Sequence, residues 1–154
     1  MNVGGTGKLP MSELKTMCEG LGFTHVKTYI ASGNVLFQTG LDAKTCQQLI
    51  EQRLCAYAGK EVRVFIRTPQ ELKSLLEQNP FQSEAGNRTI TILLDQDLCA
   101  TDLGSIKHQA QEKIALGERA LYIFYGDGMA HSKLVIPAAK HGTARNINTM
   151  TALC

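Results

Sequence analysis

The sequence predicts an α+β fold with mixed or antiparallel sheets and helices on one face. Apolar residues recur at helical spacing in some segments and alternate at strand spacing in others. Glycine, asparagine and proline stand at the joins between these segments. The chain has 154 residues, of which 44% are hydrophobic and 19% charged, which is typical of a globular protein that folds without a metal or disulfide. No apolar stretch approaches the roughly 18 residues of a membrane span.

The first third of the chain predicts a helix followed by a hairpin. Pro10 or Ser12 begins the helix, and Gly20 and Gly22 end it, because glycine enters the left-handed conformation at little cost. Residues 25–38 form the hairpin, since two β-rich runs flank the turn signal Ser-Gly-Asn.

A second helix is predicted over residues 42–58, with Asp42 as its cap and leucine and isoleucine on one face. Alternating valine and isoleucine predict a strand over 62–66. Thr68 then caps a short helix that stops before Asn79-Pro80.

The second half predicts a central strand over 89–94, where the sequence TITILL is nearly continuous in apolar and β-branched residues. An amphipathic helix follows from Thr101 or Asp102 to Ile114. A second hairpin pairs 120–125 with 129–136, and a last helical segment covers 144–153.

This order predicts two ferredoxin-like αβ units, the first of which lacks its first strand, and a C-terminal helix. The predicted parts are residues 1–68 for the first unit, 69–136 for the second and 137–154 for a basic helical segment. We expect roughly ten more residues upstream in the full gene product, enough for the absent strand and its turn.

The net charge restricts the binding partners that the protein can have, and the cysteines indicate its cellular compartment. The net charge is +2, which is too balanced for a protein that coats DNA. No carboxylate follows Asp127, so the closing segment predicts an electropositive end or an ordinary basic tail. The five cysteines show no C-x-x-C spacing, and reduced thiols fit the cytosol. We expect Cys18 and Cys99 to pack as small apolar groups, and we expect no metal and no cofactor.

A glycine-rich loop precedes the first helix. Its backbone N–H groups could hold a phosphate, with a lysine as the counter-charge, but the loop lacks both the P-loop and the G-x-G-x-x-G patterns. A tight structural turn explains the same residues. The candidate ligand-binding residues in this loop are Asn2, Gly4, Gly5 and Lys8.

Five motifs together resemble the bacterial domain-of-unknown-function family 1697. They are NVGG at 2–5, TYIASGNVLF at 28–37, NPF at 79–81, SKL at 132–134 and TARN-x-NT at 143–149. The resemblance implies an α+β fold and a small cytosolic bacterial protein, and it supplies no catalytic mechanism. Family members usually begin with a hydrophobic strand ahead of the NVGG turn, and they usually carry an aromatic residue where this chain has Ile147.

Two of these motifs supply further candidate residues. Ser32 and Asn34 are hydrogen-bonding candidates in the hairpin turn, although the turn geometry alone explains a glycine and an asparagine there. In the last motif Arg145 offers a planar cationic fork for phosphate or carboxylate. A helix cap with a structural ion pair is the alternative. The remaining candidates near Arg145 are Asn146, Thr149, Ser132 and Lys133.

Three functions remain open. The sequence favours a binding protein for a phosphorylated or other anionic ligand, including a nucleotide or nucleic acid, that uses Lys8, Lys133 and Arg145. An enzyme with its site between the glycine-rich loop and the C-terminal helix, or an interaction module without a ligand, are the alternatives. Few aromatic residues disfavour nucleic acid. The first two functions require Lys8 and Arg145 to converge in space.

Overall fold

The computed structural model describes residues 9–29, 33–82, 88–126, 132–139 and 142–153. Contacts divide the chain into two compact units, Met1–Ile66 and Arg67–Cys154. Helices and antiparallel sheets are both present, which confirms the α+β class. The division into three parts stays a prediction.

The described part of the first unit contains two helices and one hairpin. Helix α1 spans Met11–Gly20, strands β1 and β2 span Thr24–Tyr29 and Asn34–Gln38, and helix α2 spans Ala43–Ala58. The strands pair antiparallel as predicted. Asp42 caps α2 by accepting the Thr45 N–H at 2.8 Å, while Pro10 caps α1 without a side-chain hydrogen bond.

The predicted strand over 62–66 is wrong, because the residues there join no ladder in the described part of the chain. Their alternation is nevertheless real, since Val62, Val64 and Ile66 pack against the core of the unit. The Val64 N–H donates to the Glu51 carboxylate at 3.0 Å instead of to a neighbouring strand. The apolar pattern therefore predicted burial correctly and pairing incorrectly.

Buried residues of both helices and of β1 form the core of the first unit. Apolar positions at helical spacing along α1 and α2 bring these side chains onto one face of each helix. The buried members are Leu9, Leu14, Cys18, Phe23, Val26, Cys46, Ile50, Leu54 and Ala58.

The cysteines differ in exposure, and this difference predicts a labelling pattern. Burial and the nearby Glu19 charge raise the pKa of the Cys18 thiol to about 11, so about one molecule in a thousand carries the thiolate at pH 8. Cys55 and Cys99 are exposed. We expect a maleimide at pH 8 to modify Cys55 and Cys99 quickly and Cys18 only after unfolding, as read by peptide mass spectrometry. Equal labelling rates for Cys18 and Cys55 in the folded protein would contradict this.

The prediction for Cys99 was wrong in one respect. Its thiol is exposed rather than packed among apolar groups, and it lies 3.2 Å from a carboxylate oxygen of Asp102. The Cys99 N–H also donates to Asp102 at 2.8 Å, which lowers the pKa of the Asp102 carboxyl. Cys99 therefore caps the 3₁₀ turn at Ala100–Ser105 instead of filling a core position.

A four-stranded antiparallel sheet forms the centre of the second unit, in the order β4-β5-β3-β6. Helix α3, Pro69–Gln78, precedes it and begins at a capping box in which Thr68 and Glu71 bond each other's backbone N–H. Helix α4, Ile147–Leu153, closes the chain and confirms the predicted C-terminal helix. The strands are β3 at Thr89–Leu93, β4 at Lys113–Gly117, β5 at Ala120–Phe124 and β6 at Thr143–Asn146.

Three predicted elements of this unit are wrong. The helix over 101–114 is a 3₁₀ turn at Ala100–Ser105 followed by β4. The hairpin partner of β5 is β4, through a two-residue turn. Of the predicted partner 129–136, residues 129–131 lie outside the described ranges, and in the described remainder Val135 forms an isolated bridge with Lys107. The last helix starts at Ile147, because residues 143–146 pair with β3. In each case strand pairing decided the conformation, and contacts of this kind commonly override weak propensities.

Register places the two faces of this sheet against different neighbours. Tyr122 points to the side of α3, where its hydroxyl donates to the Leu75 carbonyl at 2.7 Å. Leu121 and Ile123 point to the opposite side and pack with Ala139 of a 3₁₀ turn. The α3 side of the sheet is the one that carries the polar residues considered next.

Candidate functional site

A pocket of about 220 Å³ lies in the second unit, where the first turns of α3 meet the turn between β4 and β5. Charged groups of both signs surround it, with one apolar side chain at its wall. The lining residues are Arg67, Gln70, Glu71, Ser74, Leu75, Glu118 and Arg119.

Arg67 is a half-buried cation directly before the cap of α3. Its guanidinium donates to the Leu94 carbonyl at 2.6 Å and to the Arg119 carbonyl at 3.2 Å. Burial lowers the pKa of Arg67, and the positive charge of Arg119 lowers it further, while the carboxylates of Glu71, Asp95 and Glu118 act in the opposite direction. The Arg67 guanidinium therefore lies among charges of both signs.

Arg119 is fixed in an uncommon backbone conformation, with φ at +46°. Its N–H donates to the Asp97 carboxylate at 2.7 Å, and its carbonyl accepts the Leu94 N–H at 2.8 Å. The guanidinium forms an ion pair with Glu71 at 2.5 Å. Arg119 is the second residue of the two-residue turn between β4 and β5, a turn position where positive φ is common.

The two carboxylates of the pocket differ in their partners. Glu71 accepts the Thr68 N–H at 3.2 Å with one oxygen and pairs with Arg119 through the other. Glu118 is exposed and makes no hydrogen bond or ion pair to any residue in the described ranges. One carboxylate is thus held by hydrogen bonds and an ion pair, and the other acts on Arg67 through its charge alone.

Arg145 lies on β6 and not on the helix that the sequence predicted. It pairs in register with Thr91, and its guanidinium donates at 2.8 Å to the Thr143 hydroxyl and to the Ala144 carbonyl. Burial lowers its pKa. Thr143 is the register partner of Leu93, so Arg145 reaches toward the end of β3 that Arg67 also contacts.

A buried hydroxyl lies opposite Arg145. Thr91 is fully buried, and its Oγ1 has no hydrogen-bond partner among the residues that the structure describes. A buried polar atom of this kind costs about 1–3 kcal/mol when it stays unpaired.

The other predicted candidates of the second unit differ in their contacts. Asn146, the last residue of β6, accepts the N–H of Thr149, a buried residue of α4, at 2.7 Å. Ser132 donates to Glu112, which lowers the pKa of that carboxyl. Lys133 is exposed. Asn146 therefore supports the start of α4, and Ser132 connects its segment to Glu112.

The candidates of the first unit fall partly outside the described residues. Asn34 is buried, and its amide donates to the Tyr29 carbonyl at 3.1 Å across the hairpin turn. Asn2, Gly4, Gly5, Lys8 and Ser32 lie outside the described ranges. Their convergence with Arg145 therefore stays a prediction.

Sequence reasoning missed Arg67 and Arg119. Arg67 directly precedes the recognised cap Thr68-Pro69, so its position at a helix start was available as a signal. Arg119 was hidden because the helix predicted up to Ile114 overlaps the start of β4, so β4 itself was not recognised. The two-residue turn that holds Arg119 follows only from the correct strand pairing.

The family model described as protein of unknown function, DUF1697, matches residues 1–122. The chain belongs to this family. A search of curated proteins finds no match. Among solved structures, the chain is similar to conserved bacterial protein SP0830 from Streptococcus pneumoniae, with a TM-score of 0.76 and 20% identity over 99% of this chain and 91% of that one. This DUF1697 chain therefore shares that protein's fold.

Two features are absent from the described residues. No group of three or more histidine, cysteine or acidic side chains in this part of the DUF1697 chain could hold a metal ion. None of the helices that the structure describes has the length and apolar character needed to cross a bilayer.

Proposed function

We propose that this DUF1697 protein binds a small anionic ligand, a phosphorylated compound or a carboxylate, in the pocket between Arg67 and Arg119. The observation that carries the proposal is that two arginines line one pocket, with the Arg67 guanidinium bonded to the Arg119 carbonyl at 3.2 Å. An anion between them would accept charge-assisted hydrogen bonds from both guanidinium groups.

The size of the pocket supports a small ligand. A volume of about 220 Å³ lies below the roughly 300–1,000 Å³ of pockets for drug-sized molecules. A phosphate or carboxylate with a short carbon chain fits this volume, and Leu75 offers it an apolar contact. A nucleotide or a nucleic-acid strand is the weaker alternative, because only its phosphate would fit there.

Before a ligand binds, Glu71 is the ion-pair partner of Arg119. Its ion pair with Arg119 holds the guanidinium at the wall of the pocket. An incoming anion competes with Glu71 for Arg119, so the Glu71 charge opposes binding while it keeps the site ordered. Both partners are about one-third exposed, with side-chain exposures of 35% and 39%. Replacing the Glu71 carboxylate by a ligand anion as the partner of Arg119 therefore costs little free energy.

Isothermal titration calorimetry with methylphosphonate tests the proposal. We expect Arg119→Gln to weaken binding about tenfold, the scale of one charge-assisted hydrogen bond. We expect Glu71→Gln to strengthen it about threefold, because glutamine preserves the capping box and removes the competing charge. A merely structural role for the ion pair would not produce opposite signs in the two variants.

The matched control is Lys73→Gln, which removes one positive charge from an exposed position of α3 outside the pocket. We expect its affinity to equal that of the wild type. If Lys73→Gln and Arg119→Gln weakened methylphosphonate binding equally, the loss would follow from net charge alone. That result would contradict a binding site between Arg67 and Arg119. Absence of methylphosphonate binding to the wild type at millimolar concentration would also overturn the proposal.

We also propose a cytoplasmic location in a bacterial cell. Four cysteines of the described chain are free thiols, and two of them are exposed. Exposed thiols persist in a reducing compartment.

A further inference from the structure

The charges around the pocket balance, and this balance restricts the ligand beyond its being an anion. Arg67 and Arg119 contribute two positive charges, and Glu71 and Glu118 contribute two negative ones. A purely anionic ligand would leave the pocket with an excess of negative charge next to Glu118. Like charges brought together in this way weaken binding.

Glu118 differs from every other charged group of the pocket in its contacts. Arg67, Arg119 and Glu71 all make hydrogen bonds within the second unit. Glu118 makes no hydrogen bond within the described ranges and acts on Arg67 only through its charge, from the turn position directly before Arg119. The ladder pair Gly117–Ala120 closes this turn, so the backbone that carries Glu118 is held at the pocket.

We infer that the ligand is a small zwitterion, whose phosphonate, phosphate or carboxylate group contacts Arg67 and Arg119 while its ammonium group contacts Glu118. The inference rests on the proposed anion site and adds the second charge of the ligand. An ammonium donates up to three hydrogen bonds, so Gln70 and Ser74, which line the same pocket, supply further acceptors beside Glu118.

A pair of probes separates the two charges of the ligand. 2-Aminoethylphosphonate carries both charges, and in propylphosphonate a methyl group replaces the ammonium while the length stays the same. By calorimetry we expect the wild type to bind the amine about threefold to fivefold more tightly, the scale of one exposed ion pair. We expect Glu118→Gln to reduce this ratio to about one without weakening propylphosphonate binding.

Glu77→Gln serves as the control, because Glu77 is exposed on α3 and does not line the pocket. The ratio of affinities should stay at its wild-type value in that variant. Compounds one methylene shorter and longer extend the test, and at least one length must show the preference.

The outcomes distinguish the two proposals. If both probes bind the wild type equally at every length, or if Glu118→Gln leaves the ratio unchanged, the zwitterion inference fails and the anion site stands. If neither probe binds the wild type, the anion site fails together with the inference.

Discussion

Replacing Gly142 by alanine is expected to destabilise the second unit by roughly 2–3 kcal/mol, the upper part of the range for overpacking. A Cβ at this position would lie 2.5 Å from the Ile92 Cγ2 and 2.8 Å from the Leu93 carbonyl oxygen. The second contact is with backbone of β3, which cannot rotate away as a side-chain end can. The strain therefore falls on the pairing of β3 with β6, the strand that carries Arg145.

Amide hydrogen exchange in β3 and β5 measures this loss in the second unit alone, since the free energy of opening limits exchange of core amides. Gly104→Ala is the matched control, because a Cβ there meets nothing within 4 Å. We expect Gly104→Ala to shift the same amides by less than about 0.5 kcal/mol. Protection in Gly142→Ala equal to that of the control would contradict the close approach at Gly142.

Truncation of Leu54 to alanine is the change with the largest expected effect in the first unit. Leu54 is 2% exposed and lies in the core between both helices and β1. Removing its terminal carbons loses the transfer free energy and leaves a cavity, so we expect a loss of about 3 kcal/mol, within the 2–5 kcal/mol of such changes. Exchange of the α2 amides, with urea unfolding followed by circular dichroism, measures it.

Leu41→Ala is the control for Leu54. Leu41 precedes the same helix and is 46% exposed, so its truncation creates no cavity. We expect a change within about 0.5 kcal/mol. Equal losses in the two variants would show that the core is not where the structure places it.

Local chemistry decided which elements could be predicted. Asp42 and Thr68 cap their helices as expected, because the cap is an interaction between residues three positions apart. Gly22 follows α1 with φ at +90°, as a helix end requires. Each of these features depends on neighbours in sequence, and the sequence shows those neighbours directly.

Strand pairing decided which elements could not be predicted. The sequence predicts a helix from residue 144, but residues 143–146 pair with β3, 50 to 56 positions earlier. Lys113–Gly117 forms β4 because it pairs with β5 through a two-residue turn, which the helical pattern over 101–114 concealed. The residues of neither strand specify a strand on their own. The spacing of apolar residues therefore could not predict that Arg145 lies on a strand.

The same reason explains why the candidate pocket was missed. Arg67 and Arg119 stand 52 positions apart and meet because the carbonyl of Arg119 accepts a hydrogen bond from Arg67. The sequence identified arginine as the cation for an anion but selected Arg145, which a motif marked. Arg67 and Arg119 belong to no sequence motif, because the fold brings them together from separate segments of the chain.

Chemical-shift mapping with ¹⁵N-labelled protein and methylphosphonate tests the central claim most directly. We expect saturable shifts confined to the amides around the pocket, with Gln70, Ser74, Glu118 and Arg119 moving most, and no comparable shifts in β1 or β2. Shifts that centre on Lys133, that spread evenly over exposed lysines, or that fail to saturate would contradict binding between Arg67 and Arg119.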